Sequence, residues 1–214
     1  MTLEIVHVVD DDEEMRSALD RLLRVHDFTV RTYSSAGEFL IAATRAEAGC
    51  LILDLQMPGG LSGLELQQRI ERDGFALPII FLSAHGTVPS TVRAMKGGAF
   101  DFLTKPVDPD LLVSTVKAAL AKAREARTAN DRIADARKRF DSLSTREREV
   151  FASIVSGHLN KQVGADLGIA ERTVKMHRAN VMEKMNAASV ADLVKTAELL
   201  KATGALGEPP VPGT

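Results

Sequence analysis

The sequence predicts an α/β chain of two modules: a doubly wound (βα)5 module followed by an all-helical one. Short β-rich runs alternate with helical patterns over the first 120 residues. Beyond residue 140 only helical spacing remains, and charge divides the same way. Residues 1–120 hold 11 Lys and Arg against 17 Asp and Glu, whereas residues 121–214 hold 16 against 12. An acidic half joined to a basic half predicts modules with different partners, the basic one a candidate for nucleic acid.

The strands are expected at Ile5 to Val9, Phe28 to Tyr33, Cys50 to Leu53, Ile79 to Leu82 and Asp101 to Thr104. Three of these runs, near Val8, Leu53 and Phe81, are almost wholly apolar, as strands covered on both faces are. Helical spacing fills the intervals: Met15, Leu19, Leu22 and Leu23; then Phe39, Leu40 and Ala43; Leu64, Leu66 and Ile70; Val92 and Met95. A fifth helix begins near Asp108 with Leu111, Leu112, Val116 and Leu120. The stretch from Ala121 to Phe140 has helix formers, no Pro or Gly, and no heptad seam. It reads as a helical connector extending that helix, and its basic run from Lys122 to Arg139 carries much of the positive excess.

Ser144 and Glu147 then match a capping box ahead of Val150, Phe151, Ile154 and Val155, a helix closed by Gly157. A second helix fits Lys161 to Leu167 with Gly168 as its exit, a third Glu171 to Met185, and a fourth Ser189 to about Lys201. A glycine inside the second helix, Gly164, predicts that another backbone passes close by. Two helices joined by so short a turn read as a helix-turn-helix whose third element is the recognition helix. There Val174, His177, Val181 and Met185 form an inward stripe, leaving Arg172, Lys175, Met176 and Ala179 on the other side. Arg and Lys suit guanine or phosphate and apolar atoms suit thymine methyls, though a solvated amphipathic helix has much the same pattern. The domain limits follow: 1–122, a helical linker over 123–141, 142–204, and a disordered tail over 205–214.

The chemistry lies at the strand ends. Asp10 and Asp11 follow the first strand, Asp54 the third, Ser83 the fourth and Lys105 the fifth. In the order 2-1-3-4-5 the topological switch falls between strands 1 and 3, so the carboxylates flank one crevice. Clustered carboxylates suit Mg²⁺, which leaves room for a phosphate oxygen. A carboxylate can also act as nucleophile toward phosphorus when positive charge offsets the phosphoryl oxygens. Lys105 supplies that charge and Ser83 a hydroxyl donor. DDDEEM lacks the spacing and central glycine of an EF-hand, and Asp12, Glu13 and Glu14 read as favouring a helix N-terminus. Met57, Pro58 and Gly59 read as loop-shaping residues, and His85 as a loop histidine without a catalytic role. Cys50, the only cysteine, excludes an internal disulfide and reads as a buried structural thiol. With no membrane span and no signal-type N-terminus the chain is expected in the cytoplasm.

With VVDDD, LILDLQMPG, FLSAHG and FDFLTKP, residues 1 to about 120 resemble a response-regulator receiver domain, a flavodoxin-like fold. Residues 143 to 201, with LSTREREV, NKQVGADLG and TVKMHRANVMEKM, resemble the LuxR-type DNA-binding domain. Together they are similar to the FixJ branch of the NarL/FixJ two-component response regulators. The resemblance implies that Asp54 accepts phosphate from a histidine kinase, with Mg²⁺ on Asp11, Asp54 and the Gln56 backbone carbonyl and Asp10 assisting through water. It implies a cis Lys105–Pro106 bond, and switch roles for Ser83 and for Phe102, where many receivers have tyrosine. It implies promoter DNA contacts from Lys175, Met176 and Ala179, and backbone contacts from Asn160, Thr173, His177 and Lys184. Homodimerisation on phosphorylation, activation of transcription with RNA polymerase, and no enzymatic activity beyond Mg²⁺-dependent phosphotransfer and slow autodephosphorylation complete the expectation. Leu159 and Ala170 replace the family's usual serines, and Ala170 weakens the recognition-helix cap by ~1 kcal/mol. Two rivals share these features: an aspartate-nucleophile phosphatase, which would need a second Asp two residues past Asp54 where Gln56 stands, and a phosphorylation-independent DNA binder with a vestigial receiver.

Overall fold

In the computed structural model, which describes residues 3–45, 47–84 and 86–204, the chain divides into two compact units, Met1–Arg127 and Thr128–Thr214. The first alternates β1 (Glu4–Val9), α1 (Glu13–Val25), β2 (Thr29–Tyr33), α2 (Ala36–Ala42), β3 (Ala48–Asp54), α3 (Gly63–Arg72), β4 (Ile79–Ser83), α4 (Val88–Lys96) and β5 (Asp101–Thr104) before α5 (Pro109–Asp141). All strands are parallel in the order β2-β1-β3-β4-β5, with Val9 opposite Tyr33 on one side and Leu53 on the other. That register brings the carboxyl ends of β1 and β3 level, as the crevice requires.

Two apolar clusters sandwich the sheet. One gathers Leu53, Phe81, Phe39, Leu66 and Ile70, and the other Val8, Ile52, Leu82, Leu23, Leu112 and Val116. Both faces being covered, the central strands had to be apolar. Helix α1 is capped by Asp12, whose side chain accepts from the N–H groups of Glu14 and Met15. Helix α3 carries a capping box between Ser62 and Glu65. Helix α4 departs from expectation: Val92 and Met95 face solvent, and Ala94 is its buried residue.

The end of α5 joins α6 (Thr145–Val155), α7 (Asn160–Leu167), α8 (Glu171–Lys184) and α9 (Val190–Ala202) in the second unit. The connector is helical as expected, one continuous element from Pro109 to Asp141. The capping box of Ser144 and Glu147 forms. Val150, Phe151, Ile154, Val163, Val174, Val181, Leu193 and Ala197 make the core. A Cβ on Gly164 would lie 2.8 Å from the Ile169 carbonyl oxygen, so the glycine lets the turn back into α8 fold against α7. Gly168 makes that turn with φ 64°, in the left-handed region. The proposed tail, 205–214, and His85 lie outside the described residues.

Candidate functional site

The strand ends build the first site. Asp10 is 1% exposed and doubly engaged: Oδ1 accepts the Asp12 N–H at 3.0 Å, and Oδ2 the Lys105 ammonium at 2.7 Å. The same ammonium lies 3.4 Å from Asp54 Oδ2. Asp54 Oδ1 accepts a long 3.5 Å bond from the Gln56 N–H. One carboxylate oxygen from each of Asp10, Asp11 and Asp54 lies within 4.8 Å of the others, with Asp11 exposed. That donor set suits a hard cation. The open cleft beside it, about 570 Å³, is lined by Asp11, Asp54, Gln56, Ser83, Lys105 and Pro106 among others.

Backbone geometry holds these groups in place. Lys105 N–H donates to the Ser83 carbonyl at 2.8 Å, and the Lys105–Pro106 bond is cis. A Cβ on Gly63 would collide with the Asp54 carbonyl oxygen, so this glycine lets α3 start tight beneath the loop after Asp54. Met57 is buried in the core and Gly59 has φ +85°, consistent with shaping that loop. Arg16, which the sequence reading did not single out, donates to the Asp10 carbonyl at 2.8 Å from one turn into α1. Phe102 is half-buried and stacked on Phe81, ring centroids 6.0 Å apart.

Charge is unevenly shared. Burial pushes the Asp54 carboxyl above its usual range, helped by Asp10 and opposed by Lys105. Burial works against the Lys105 ammonium too, but its bond to Asp10 and the charges of Asp10 and Asp54 outweigh it, so its pKa rises. The pocket is thus a lysine tied to one aspartate and leaning on a second. Burial also pushes the Cys50 thiol up to about 12, as expected of an inert structural cysteine.

The second candidate site is a surface of α7 and α8. Arg172, Lys175, Met176 and Ala179 are exposed, while Thr173 and His177 are half-buried. Val174, Val181 and Met185 of the inward stripe are buried, and His177 departs from it, half-buried with its Nδ1 enclosed. Asn160 is oriented by a bond the sequence did not reveal: Arg178 Nη1 donates to its Oδ1 at 3.1 Å. Lys184 is engaged inside the unit, its ammonium 2.7 Å from Oε2 of the buried Glu147. The bonds from Lys184 and from the Ser144 N–H hold the Glu147 carboxyl down at about 2. Neither Leu159 nor Ala170 gives its helix a side-chain cap bond.

Family models match both units: the response regulator receiver domain over residues 6–117 and the luxR family of bacterial regulatory proteins over residues 141–197. The chain belongs to the FixJ-type two-component response regulators. It is 45% identical to nodulation protein W of Bradyrhizobium diazoefficiens, over 93% of this chain and 87% of that protein. The response regulator TodT of Pseudomonas putida is 42% identical, over 92% and 86%, and FixJ of Azorhizobium caulinodans 43%, over 91% and 92%. Among solved structures it is similar to the response regulator StyR, with a TM-score of 0.86 at 42% identity over 92% of this chain and 99% of that one. Full-length FixJ from B. japonicum gives 0.57 at 38%, over 94% and 99%. The response regulator thus joins a receiver to a LuxR-type DNA-binding domain, which implies a histidine kinase partner and regulation of transcription. No helix among the described residues is long and apolar enough to cross a membrane.

Proposed function

We propose that Asp54 is the phosphoacceptor, and that its phosphorylation by a partner histidine kinase controls dimerisation and promoter binding. The convergence of Asp10, Asp11, Asp54 and Lys105 at the ends of β1, β3 and β5 carries this reading. An Asp54 oxygen attacks the phosphorus of a phosphohistidine; the new P–O bond forms as the P–N bond breaks, and the imidazole leaves with the bonding pair. Asp10, Asp11, Asp54 and the Gln56 backbone carbonyl fit Mg²⁺, which when bound neutralises charge gathering on the phosphoryl oxygens. Lys105 places a positive charge on the same side, and Ser83, at the end of β4, contributes a hydroxyl donor.

Ser83 and Phe102 report the change to the face formed by α4, β5 and α5, where two phosphorylated receivers pair. A dimer presents two copies of α8 to a two-part DNA site. Arg172, Lys175, Met176 and Ala179 meet the groove, and Asn160, Thr173 and His177 the backbone. Lys184 reaches a phosphate only while sharing its ammonium with Glu147. RNA polymerase recruitment, and so activation, is the expected output, in the cytoplasm. The domain limits proposed with this reading are 1–122, 123–141 and 142–204.

The test uses a small acyl-phosphate donor with Mg²⁺, followed by intact mass, dimerisation and DNA affinity. The parent gains one phosphate and tightens on DNA, and Asp54→Asn does neither. An Asp54→Asn protein that still gained a phosphate and tightened equally would refute the assignment.

A further inference from the structure

Helix α4 is anchored differently at its two ends. Of its nine residues only Ala94 is buried, so apolar packing holds it weakly. At the N-terminal end Ser90 and Thr91 each bond to Thr87, within the first turn. The C-terminal end is tied to another helix. Gln67 of α3, 3% exposed, donates from Nε2 to the carbonyls of Ala94, at 2.9 Å, and Gly97, at 2.7 Å. These carbonyls belong to a Schellman turn in which Gly98 N–H donates to Met95 and Ala99 N–H to Ala94.

The two glycines of this turn serve different ends. Gly98 has φ +81°, which requires glycine. Gly97 has φ −78°, which does not. What Gly97 needs is space: a Cβ there would lie 2.8 Å from Gln67 Oε1 and 3.0 Å from its Cδ. A buried primary amide is costly unless its donors are satisfied, and here both are aimed at helix-end carbonyls. Gln67 and Gly97 therefore fit as a pair, an amide and the gap that admits it.

We propose that Gln67 is a positioning residue that pins the C-terminal end of α4, so that α4 responds to modification of Asp54 by moving at its N-terminal end about Gly97. The pin stands on geometry alone; only its trigger rests on the phosphoacceptor reading.

Amide hydrogen exchange on the full chain, with and without a small acyl phosphate and Mg²⁺, tests both parts. In the unmodified protein, Gln67→Leu should speed exchange at Gly97, Gly98 and Ala99 by about tenfold, as loss of two ordinary hydrogen bonds implies. On phosphorylation the parent should change exchange at residues 90–92 and not at 97–99, while Gln67→Leu changes both. Should Gln67→Leu fold poorly, Gly97→Ala attacks the pin from the other side. It should speed exchange at 98–99 in the parent, yet add nothing in a Gln67→Ala background, where the colliding amide is gone. Exchange at 97–99 within twofold of the parent in Gln67→Leu, or Gly97→Ala acting equally in both backgrounds, overturns the pin. Equal phosphorylation-induced change at both ends of α4 in the parent overturns the pivot. A parent that takes up no phosphate overturns the phosphoacceptor reading and the pivot with it, and the unmodified comparison still decides the pin.

Discussion

Lowering the pH from 7 to 5 should destabilise the receiver through His7. It lies in the middle of β1 with no exposed surface, its Nδ1 3.0 Å from the Tyr33 hydroxyl and its Nε2 3.8 Å from Glu47. Phe39 packs edge-on against the ring, and Glu47 is itself paired with Arg31 at 2.7 Å. Burial, against the pull of Glu47 and with a smaller push from Arg31, lowers the imidazole pKa from 6.5 to about 4. A depressed folded-state pKa means that below pH 6.5 the unfolded chain binds a proton the folded one refuses. The stability from a neutral His7 is therefore complete above pH 6.5 and lost as pH falls toward 4. At 1.36 kcal/mol per unit, a drop from pH 7 to pH 5 costs about 2 kcal/mol. Most carboxylates titrate below that window. Tyr33 is the sole tyrosine in a chain without tryptophan, so its fluorescence in urea titrations at pH 7, 6 and 5 reports the unfolding of this unit alone. His7→Leu should lower stability by ~1 kcal/mol at pH 7, where the Tyr33 hydroxyl loses its bond to the imidazole, and should flatten the profile, so that at pH 5 the variant is at least as stable as the parent. A leucine variant that lost as much stability as the parent over that interval would refute the reasoning.

The second unit has a different acid window. Because the Lys184 and Ser144 bonds hold Glu147 at about 2, its contribution is present above the ordinary carboxylate range and lost as pH falls through 4.5 toward 2. With Lys184 41% exposed, solvent screening limits the ion pair, and Glu147→Gln, which keeps a capping acceptor, should cost about 1 kcal/mol by helical circular dichroism and remove the acid dependence. On DNA, Lys175→Ala should weaken specific binding by about 1–3 kcal/mol and relax the base preference at the position it meets. An affinity unchanged at fixed salt would remove Lys175 from the groove.

The strands were legible because a sheet covered on both faces writes itself as apolar runs, and local backbone geometry moved only their edges. β2 starts at Thr29 and not Phe28, since Asp27 takes φ 62° and the Phe28 N–H closes α1 by donating to Leu23. β3 starts at Ala48, two residues before the apolar run, because Gly49 can lie against Ile5 where any Cβ would strike its carbonyl oxygen. The pocket was legible because strand ends converge by topology. The pairings of His7 with Tyr33, Gln67 with Gly97 and Glu147 with Lys184 were not, since they join residues 26, 30 and 37 positions apart. Periodicity shows which side is buried, and a capping box shows Glu147 meeting Ser144. Neither shows what crosses from another element to meet a buried polar atom.

The distances around Lys105 bear on how the pocket can be both reactive and quiet. Its ammonium is 2.7 Å from Asp10 and 3.4 Å from Asp54, so its primary partner is the aspartate that is not the proposed acceptor. Were the shorter bond to Asp54, the nucleophilic lone pairs would be occupied and the attack would have to break a charge-assisted bond of the stronger kind. Held on Asp10, the lysine lends Asp54 its field while contacting it only at the longer 3.4 Å distance, and Asp54 lines the cleft. A phosphoryl group brings about −1.5 to −2 of charge and further acceptor oxygens to Asp54, which should draw the ammonium from Asp10 toward the phosphate. The lysine would then exchange Asp10 for the phosphate, and the buried Asp10 carboxylate, left with its Asp12 N–H bond, would need a cation such as Mg²⁺ beside it, because an uncompensated buried charge is costly. Lys105 follows β5 directly and its N–H bonds the Ser83 carbonyl at the end of β4. A shift of its side chain is therefore felt first at the two strand ends that lead to Phe102 and α4.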